Sequence, residues 1–217
     1  MLASMGAMAE HRTRTTYPGD FPIMSTELLA EFTESLMVLR QQTGPRHLAA
    51  PGPSPELLRR LFAGVAAAPD HGQLRPWRFV VIGEAARAQL GEVFAAALLE
   101  RDPSASAEEQ ATAREKAQRA PTLILAVADL RHHDPKVSEA ERLVSLGCAI
   151  QNLLLGAVAH GFAAGLSSGR ALGSQRLRDA YGIAEGEQAV CFISIGTAAR
   201  VRPSKIRPEV DEFVRWV

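Results

Sequence analysis

The residues with the most chemistry per unit length lie in the run Ala68-Pro69-Asp70-His71-Gly72-Gln73-Leu74-Arg75-Pro76-Trp77-Arg78-Phe79-Val80-Val81-Ile82. A polar loop carrying Asp70, His71, Gln73 and Arg75, followed at once by an aromatic and an apolar strand, is a place for a flat ligand with a polar edge. The bland reading of His71 is a helix-end cap or a hydrogen bond to a nearby carbonyl. Two other constellations compete. Gly165-Leu166-Ser167-Ser168-Gly169 satisfies G-x-S-x-G, the strained turn that exposes a nucleophilic serine in α/β-hydrolases. That triad runs serine, acid, histidine along the chain, and all 6 histidines here (11, 47, 71, 132, 133 and 160) precede Ser167, so no base follows it. His132-His133-Asp134 matches no common zinc spacing and reads as a polar loop after a strand. Neither a G-x-G-x-x-G fingerprint nor a Walker loop occurs, so a nucleotide would have to bind without either device.

These residues need elements to hold them. Leu28, Leu29, Phe32, Leu36 and Leu39 recur at helical spacing from Ser25 to Arg40, with Ser25 or Thr26 as cap. Ser54-Pro55-Glu56 supplies a cap, a first-turn proline and a first-turn acid for a second helix ending near Ala68-Pro69. Trp77 to Ile82 reads as the first strand, Glu84 to Leu99 and Glu108 to Arg119 as two helices, the latter stopped by Pro121. Thr122 to Ala128 is apolar throughout, as in a strand covered on both faces. Glu139 to His160 reads as a long helix, apolar almost all round in its C-terminal half, hence central to a core or to a dimer interface. Phe162 to Leu166 is short and apolar, Ser174 caps a helix ending at Tyr181-Gly182, and Ala189 to Ile195 is a last strand. Helices interleaved with strands predict an α+β or α/β protein with helices on both faces of its sheet.

Composition bounds the rest. The 217 residues, 47% hydrophobic and 22% charged, suit one ordinary globular core. With 24 basic and 24 acidic side chains the formal net charge is zero, so no long-range field favours nucleic acid or anionic lipid. The only cysteines, Cys148 and Cys191, sit in apolar segments and read as reduced, buried thiols, which points to the cytoplasm. Residues 1–24 lack an apolar core segment and are expected to be a disordered extension rather than a secretory signal, leaving 25–217 as one domain. The longest apolar stretch, Leu143 to Val158, is interrupted by Gln151 and Asn152 and is too short to span a bilayer.

The Ala-Pro helix end, the Asp-His loop and the Pro-Trp strand start together resemble the nitroreductase family, nearest to its short YdjA-like branch, where the loop carries the same Asp-His pair. The resemblance implies an α/β/α sandwich with a mixed sheet, a homodimer with FMN at its interface, and a C-terminal segment exchanged onto the partner. It also implies NADH or NADPH as reductant and a small electron-poor acceptor such as a nitroaromatic or quinone, in ping-pong order through the flavin. Matched without gaps from the Ala-Pro-Asp-His landmark, Gln42-Thr43-Gly44-Pro45-Arg46 stands where the family grips phosphate with Arg-Arg-Ser-x-Arg, and only Arg46 keeps the arginine. Two lost charge-assisted hydrogen bonds would weaken FMN binding by about two to four orders of magnitude unless Arg40, Lys205 or Arg207 compensates. By the same resemblance His71 and Gln73 face the flavin, with Arg75 a further donor, while Ser167 and Ser168 pass its pyrimidine edge where branch members carry Trp-Arg-Ser. A non-enzymatic flavin-sequestering protein and a flavin-fragmenting enzyme are the alternatives on the same scaffold.

Overall fold

A computed structural model describes residues 24–131, 134–200 and 206–217. The expected N-terminal extension, apart from Met24, therefore lies outside the described residues, as do Lys205 and the His132-His133 pair.

Serine caps start most of the helices. Ser25 accepts from the Leu28 amide at 3.2 Å to open α1 (Thr26–Leu39), and Ser54 accepts from Leu57 at 3.2 Å to open α2 (Pro55–Val65) with Pro55 in the first turn. α3 (Glu84–Arg101) runs two residues past the expected end. Reciprocal capping boxes, Ser106 with Glu109 and Ser138 with Glu141, open α4 (Ala107–Glu115) and α5 (Glu139–Ala159), tying up amides that a helix start leaves unpaired. Ser174 caps α6 (Gln175–Tyr181), which ends on Gly182 at φ 56°, a left-handed conformation that glycine adopts without Cβ strain.

The strands are β1 (Leu48–Ala49), β2 (Trp77–Val81), β3 (Thr122–Asp129), β4 (Ala163–Ser167) and β5 (Glu187–Ala198). β3 lies between β2 and β5, and the outer edge of β5 takes β4 and, further along, β1. These pairings are all antiparallel. The sheet becomes mixed at its β4 edge, where Gln42 and Ala164 form a parallel bridge. Two residues are too few to show alternation, which is why β1 escapes a sequence reading.

Side-chain alternation sends β3 and β5 residues to two cores. On one face Ile124, Ala126, Ile193 and Ile195 pack with Leu61 and Val65 of α2 and Leu146, Leu153 and Leu154 of α5. On the other, Leu123, Leu125, Val127 and Phe192 pack with Leu90 and Val93 of α3 and Leu177 of α6. The expected sandwich is thus observed, and β3 is buried on both faces as its composition requires.

Two helices stand out. α5 is by length and composition long enough to cross a membrane, contrary to the estimate from its apolar run alone, because the helix adds a polar first turn. Its inner side is nevertheless in the core, with Leu146, Ala149, Leu153 and Ala157 buried. α1 buries nothing, and Leu28, Leu29 and Phe32 lie about half exposed on it.

Candidate cofactor site

The chain leaves α1 at Arg40 and crosses the edge of β4. Thr43 donates its amide to the Ala164 carbonyl at 3.0 Å, and the Gln42 side chain brackets Leu166, its Oε1 accepting from the Leu166 amide at 3.0 Å while Nε2 donates to the Leu166 carbonyl. Gly165 makes this crossing possible, since a Cβ there would sit 2.2 Å from the Thr43 oxygen. Gln42, Thr43, Gly44 and Arg46 are thereby delivered to the same edge as Ser167 and Ser168, some 120 residues later in sequence.

Beside that edge, on the α3 face of the sheet, is a cavity of about 420 Å³ rimmed by Pro45, Ser167 and Ser168. Its apolar lining comes from Phe94 and Leu98 of α3, Leu123 of β3, Phe192 of β5 and Leu172. Four cations line it, Arg101, Lys116, Arg119 and Arg170, and no carboxylate does. Burial lowers the Arg119 pKa, and the charge of nearby Arg46 lowers it further, so these two guanidiniums share one neighbourhood. An apolar slot with four cations and no acid in its lining is built for a flat anion-bearing molecule.

Lys116 and Arg119 are held in place by an arginine of a different kind. Arg87 of α3 is 6% exposed and donates to the carbonyls of Ile82 at 3.0 Å, Ala117 at 2.7 Å, Ala120 at 3.3 Å and Pro121 at 3.3 Å. It ties down the turn between α4 and β3, in which Ala120 takes a left-handed φ of 73°. Desolvation is the chief influence on Arg87 and lowers its pKa.

The other expected cations divide. Arg207 donates from Nη2 to the Arg40 carbonyl at 3.0 Å, so the C-terminal segment returns to the end of α1. His71 and Gln73 are not brought to the cavity. They occupy a short 3₁₀ turn just before β2, at the opposite edge of the sheet, three strand spacings or about 14 Å from β4. His71 Nδ1 lies 2.9 Å from Glu141 Oε1 at the start of α5. Gln73 lines a separate hollow of about 640 Å³ with Asp70, Arg75 and Trp77. Gln73 and Arg75 both have positive φ, 53° and 47°, uncommon for residues with a Cβ.

The hydrolase reading fails on geometry as well as on order. Ser167 closes an edge strand that runs into a 3₁₀ turn at Arg170–Gly173, not a strand-to-helix elbow. No group of three or more His, Cys, Asp or Glu residues able to hold a metal occurs among the described residues. Sequence reasoning missed Arg101, Lys116, Arg119, Arg170 and Ser194 of the cavity. Scattered single cations at helix ends look like solvated surface until the fold turns them toward one hollow.

The model of the Nitroreductase family matches residues 40–197. The chain belongs to the nitroreductase family. A Haemophilus influenzae protein named "Putative NAD(P)H nitroreductase" is 34% identical over 185 residues, 85% of this chain and 100% of that protein. The Escherichia coli K12 protein named "Putative NAD(P)H nitroreductase YdjA" is 32% identical over 186 residues, 84% of this chain and 99% of its own length. Among solved structures, a nitroreductase-like family protein from Bacillus cereus superposes with a TM-score of 0.73 at 19% identity, covering 85% of this chain and 95% of that one. The FMN-dependent nitroreductase NfnB from Mycobacterium smegmatis, solved with NADPH, gives 0.66 at 20% identity over 87% of this chain and 99% of that one. The chain therefore shares the nitroreductase fold of these solved structures.

Proposed function

We propose that this chain is an FMN-dependent NAD(P)H oxidoreductase of the nitroreductase type, acting as a homodimer on an electron-poor small molecule such as a nitroaromatic or quinone. The observation that carries the proposal is the cavity at the 42–46 and 167–168 edge, apolar inside and lined by Arg101, Lys116, Arg119 and Arg170 without an acid. FMN fits that donor set, since its ring needs an apolar slot and its phosphate needs cations. When bound, it would supply two-electron transfer from NAD(P)H to the acceptor in ping-pong order. The chain's own residues bind and tune. Arg46 and Arg119 are assigned to the phosphate, with Arg207 and Lys205 joining from the C-terminal segment. Ser167 and Ser168 border the ring. Lys116 places a cation at a site whose expected arginine is absent from Leu166-Ser167-Ser168, and a cation there favours the electron-rich reduced ring.

The dimer is supported by what one chain leaves open. α1 has no buried residue, and α5 exposes Leu143, Val144 and Gly147 along one side. His71 and Gln73 lie too far from the cavity of their own chain and are assigned to the cavity of the partner subunit. Free Cys148 and Cys191 are consistent with the cytoplasm, and burial pushes the Cys191 thiol up to about 11.

The test is anaerobic stopped-flow of the FMN-loaded protein mixed with NADH or NADPH. Bleaching of the visible flavin band, with recovery on adding a nitroaromatic, is expected. A bound flavin that millimolar reductant does not bleach would leave a sequestering protein, and oxygen-dependent loss of the ring would mark a flavin-fragmenting one.

A further inference from the structure

The FMN reading leaves one group in the cavity unexplained. Ser194 of β5 is fully buried at 0% exposure, and its Oγ has no hydrogen-bond partner among the described residues. Ser194 is nevertheless among the residues that line the cavity, with Leu123, Leu172 and Phe192. The register explains this placement. Ser194 lies opposite Leu123 of β3 and Gly165 of β4, and its strand neighbours Ile193 and Ile195 belong to the core on the α5 face, which turns Ser194 to the cavity side. Neither the Thr43 backbone that crosses Gly165 nor any cation or serine of the rim hydrogen-bonds to the Ser194 hydroxyl. An unmade hydrogen bond at a buried hydroxyl costs more than a made one returns, so a serine in a floor otherwise of leucine and phenylalanine is a fault unless something in the cavity completes it.

We infer that Ser194 is a cofactor-binding residue whose hydroxyl makes a hydrogen bond to the ring system of the bound flavin, from the floor of the cavity. The inference rests on the FMN reading above and adds a polar anchor on the sheet itself, distinct from the rim serines. The ring rather than the phosphate is the partner because Ser194 stands in the apolar part of the lining, among Leu123, Leu172 and Phe192. Serine also sets the fit: valine would fill the floor without a donor, and alanine would leave a gap of one hydroxyl.

The experiment titrates FMN into the flavin-free protein by fluorescence, for the wild type, Ser194→Ala and Ser194→Cys, and records the visible band of each complex and the Tm of each flavin-free form. Cysteine keeps the side-chain shape with a slightly larger atom while weakening the hydrogen bond, so it decides the question if the alanine variant does not fold. The expected result is FMN affinity about three- to tenfold weaker in both variants, with a shifted band and an unchanged or higher flavin-free Tm. Unchanged affinity in both variants would overturn the inference while leaving the FMN reading intact. Weaker affinity with an unshifted band would overturn the assignment to the ring. A wild type that binds no FMN would overturn the FMN reading and this inference with it.

Discussion

At the scale of single residues, the cavity depends on one glycine and two cations. Gly165 is where two backbones meet, so Gly165→Ala forces Thr43 away and should cost about 1–3 kcal/mol, read from the urea midpoint, while loosening FMN through the displaced 42–46 segment. Lys116→Ala and Arg119→Ala remove charge-assisted donors from the lining and should each weaken FMN about tenfold to a hundredfold, measured by titration, with little change in Tm because neither is fully buried. Ser167 and Ser168, which line the cavity, could be singled out in the sequence because they sit among recognisable neighbours. Ser194 could not, since one serine inside Cys191-Phe192-Ile193-Ser194-Ile195 looks like a tolerated polar residue in an apolar strand. Only the register reveals that it faces a hollow.

At the scale of elements, three helix starts were readable from their capping serines, and Ser25, Ser54 and Ser174 all cap as expected, while Ser138, which caps α5, was not singled out. The start of α5 does a second job. The Ser138 amide, then His71, then the Ser138 hydroxyl hold the Glu141 carboxyl well down from 4.5 to about 2. A carboxyl depressed in the folded state adds stability that is complete above its unfolded value and is lost as pH falls through the folded one. The contribution of Glu141 should therefore fade between about pH 4.5 and 2. Tm followed across that window should fall less steeply for Glu141→Gln than for the wild type. α1 makes the opposite point: its amphipathic spacing was plain, yet a 14-residue helix with no buried side chain is marginal in water unless something covers it. The sequence period tells that a stripe exists, not which chain it packs on.

At the scale of the whole molecule, the sheet order keeps the two halves of the expected site apart. β4 and the start of β2 lie at opposite edges, so a single chain presents the cavity at one side and the His71–Gln73 turn at the other. The fold class and layers could be read from helices alternating with strands, but this separation could not, because it depends on β5 receiving β4 on one side and β3 on the other. If His71 and Gln73 complete the partner's cavity, complementation follows. Neither a His71→Ala, Gln73→Ala double variant nor a Lys116→Ala, Arg119→Ala double variant should hold FMN tightly. Their mixed dimers contain one intact site out of two, so refolding an equimolar mixture should restore about a quarter of the wild-type tight FMN sites by titration. No recovery would place His71 and Gln73 in the same chain's site or in none.

The end of β4 is thin. Ser167 and Ser168 border the cation-lined cavity on the α3 face and also a second hollow on the α5 face, beside Gly147, Gln151 and Cys191. One side of that short wall belongs to the proposed prosthetic group and the other to the exposed stripe of α5, so whatever seats against the stripe also braces the wall. If the proposed dimer forms on that stripe, pigment retention and subunit pairing become a single equilibrium, and dilution that parts the subunits bleeds colour from both at once.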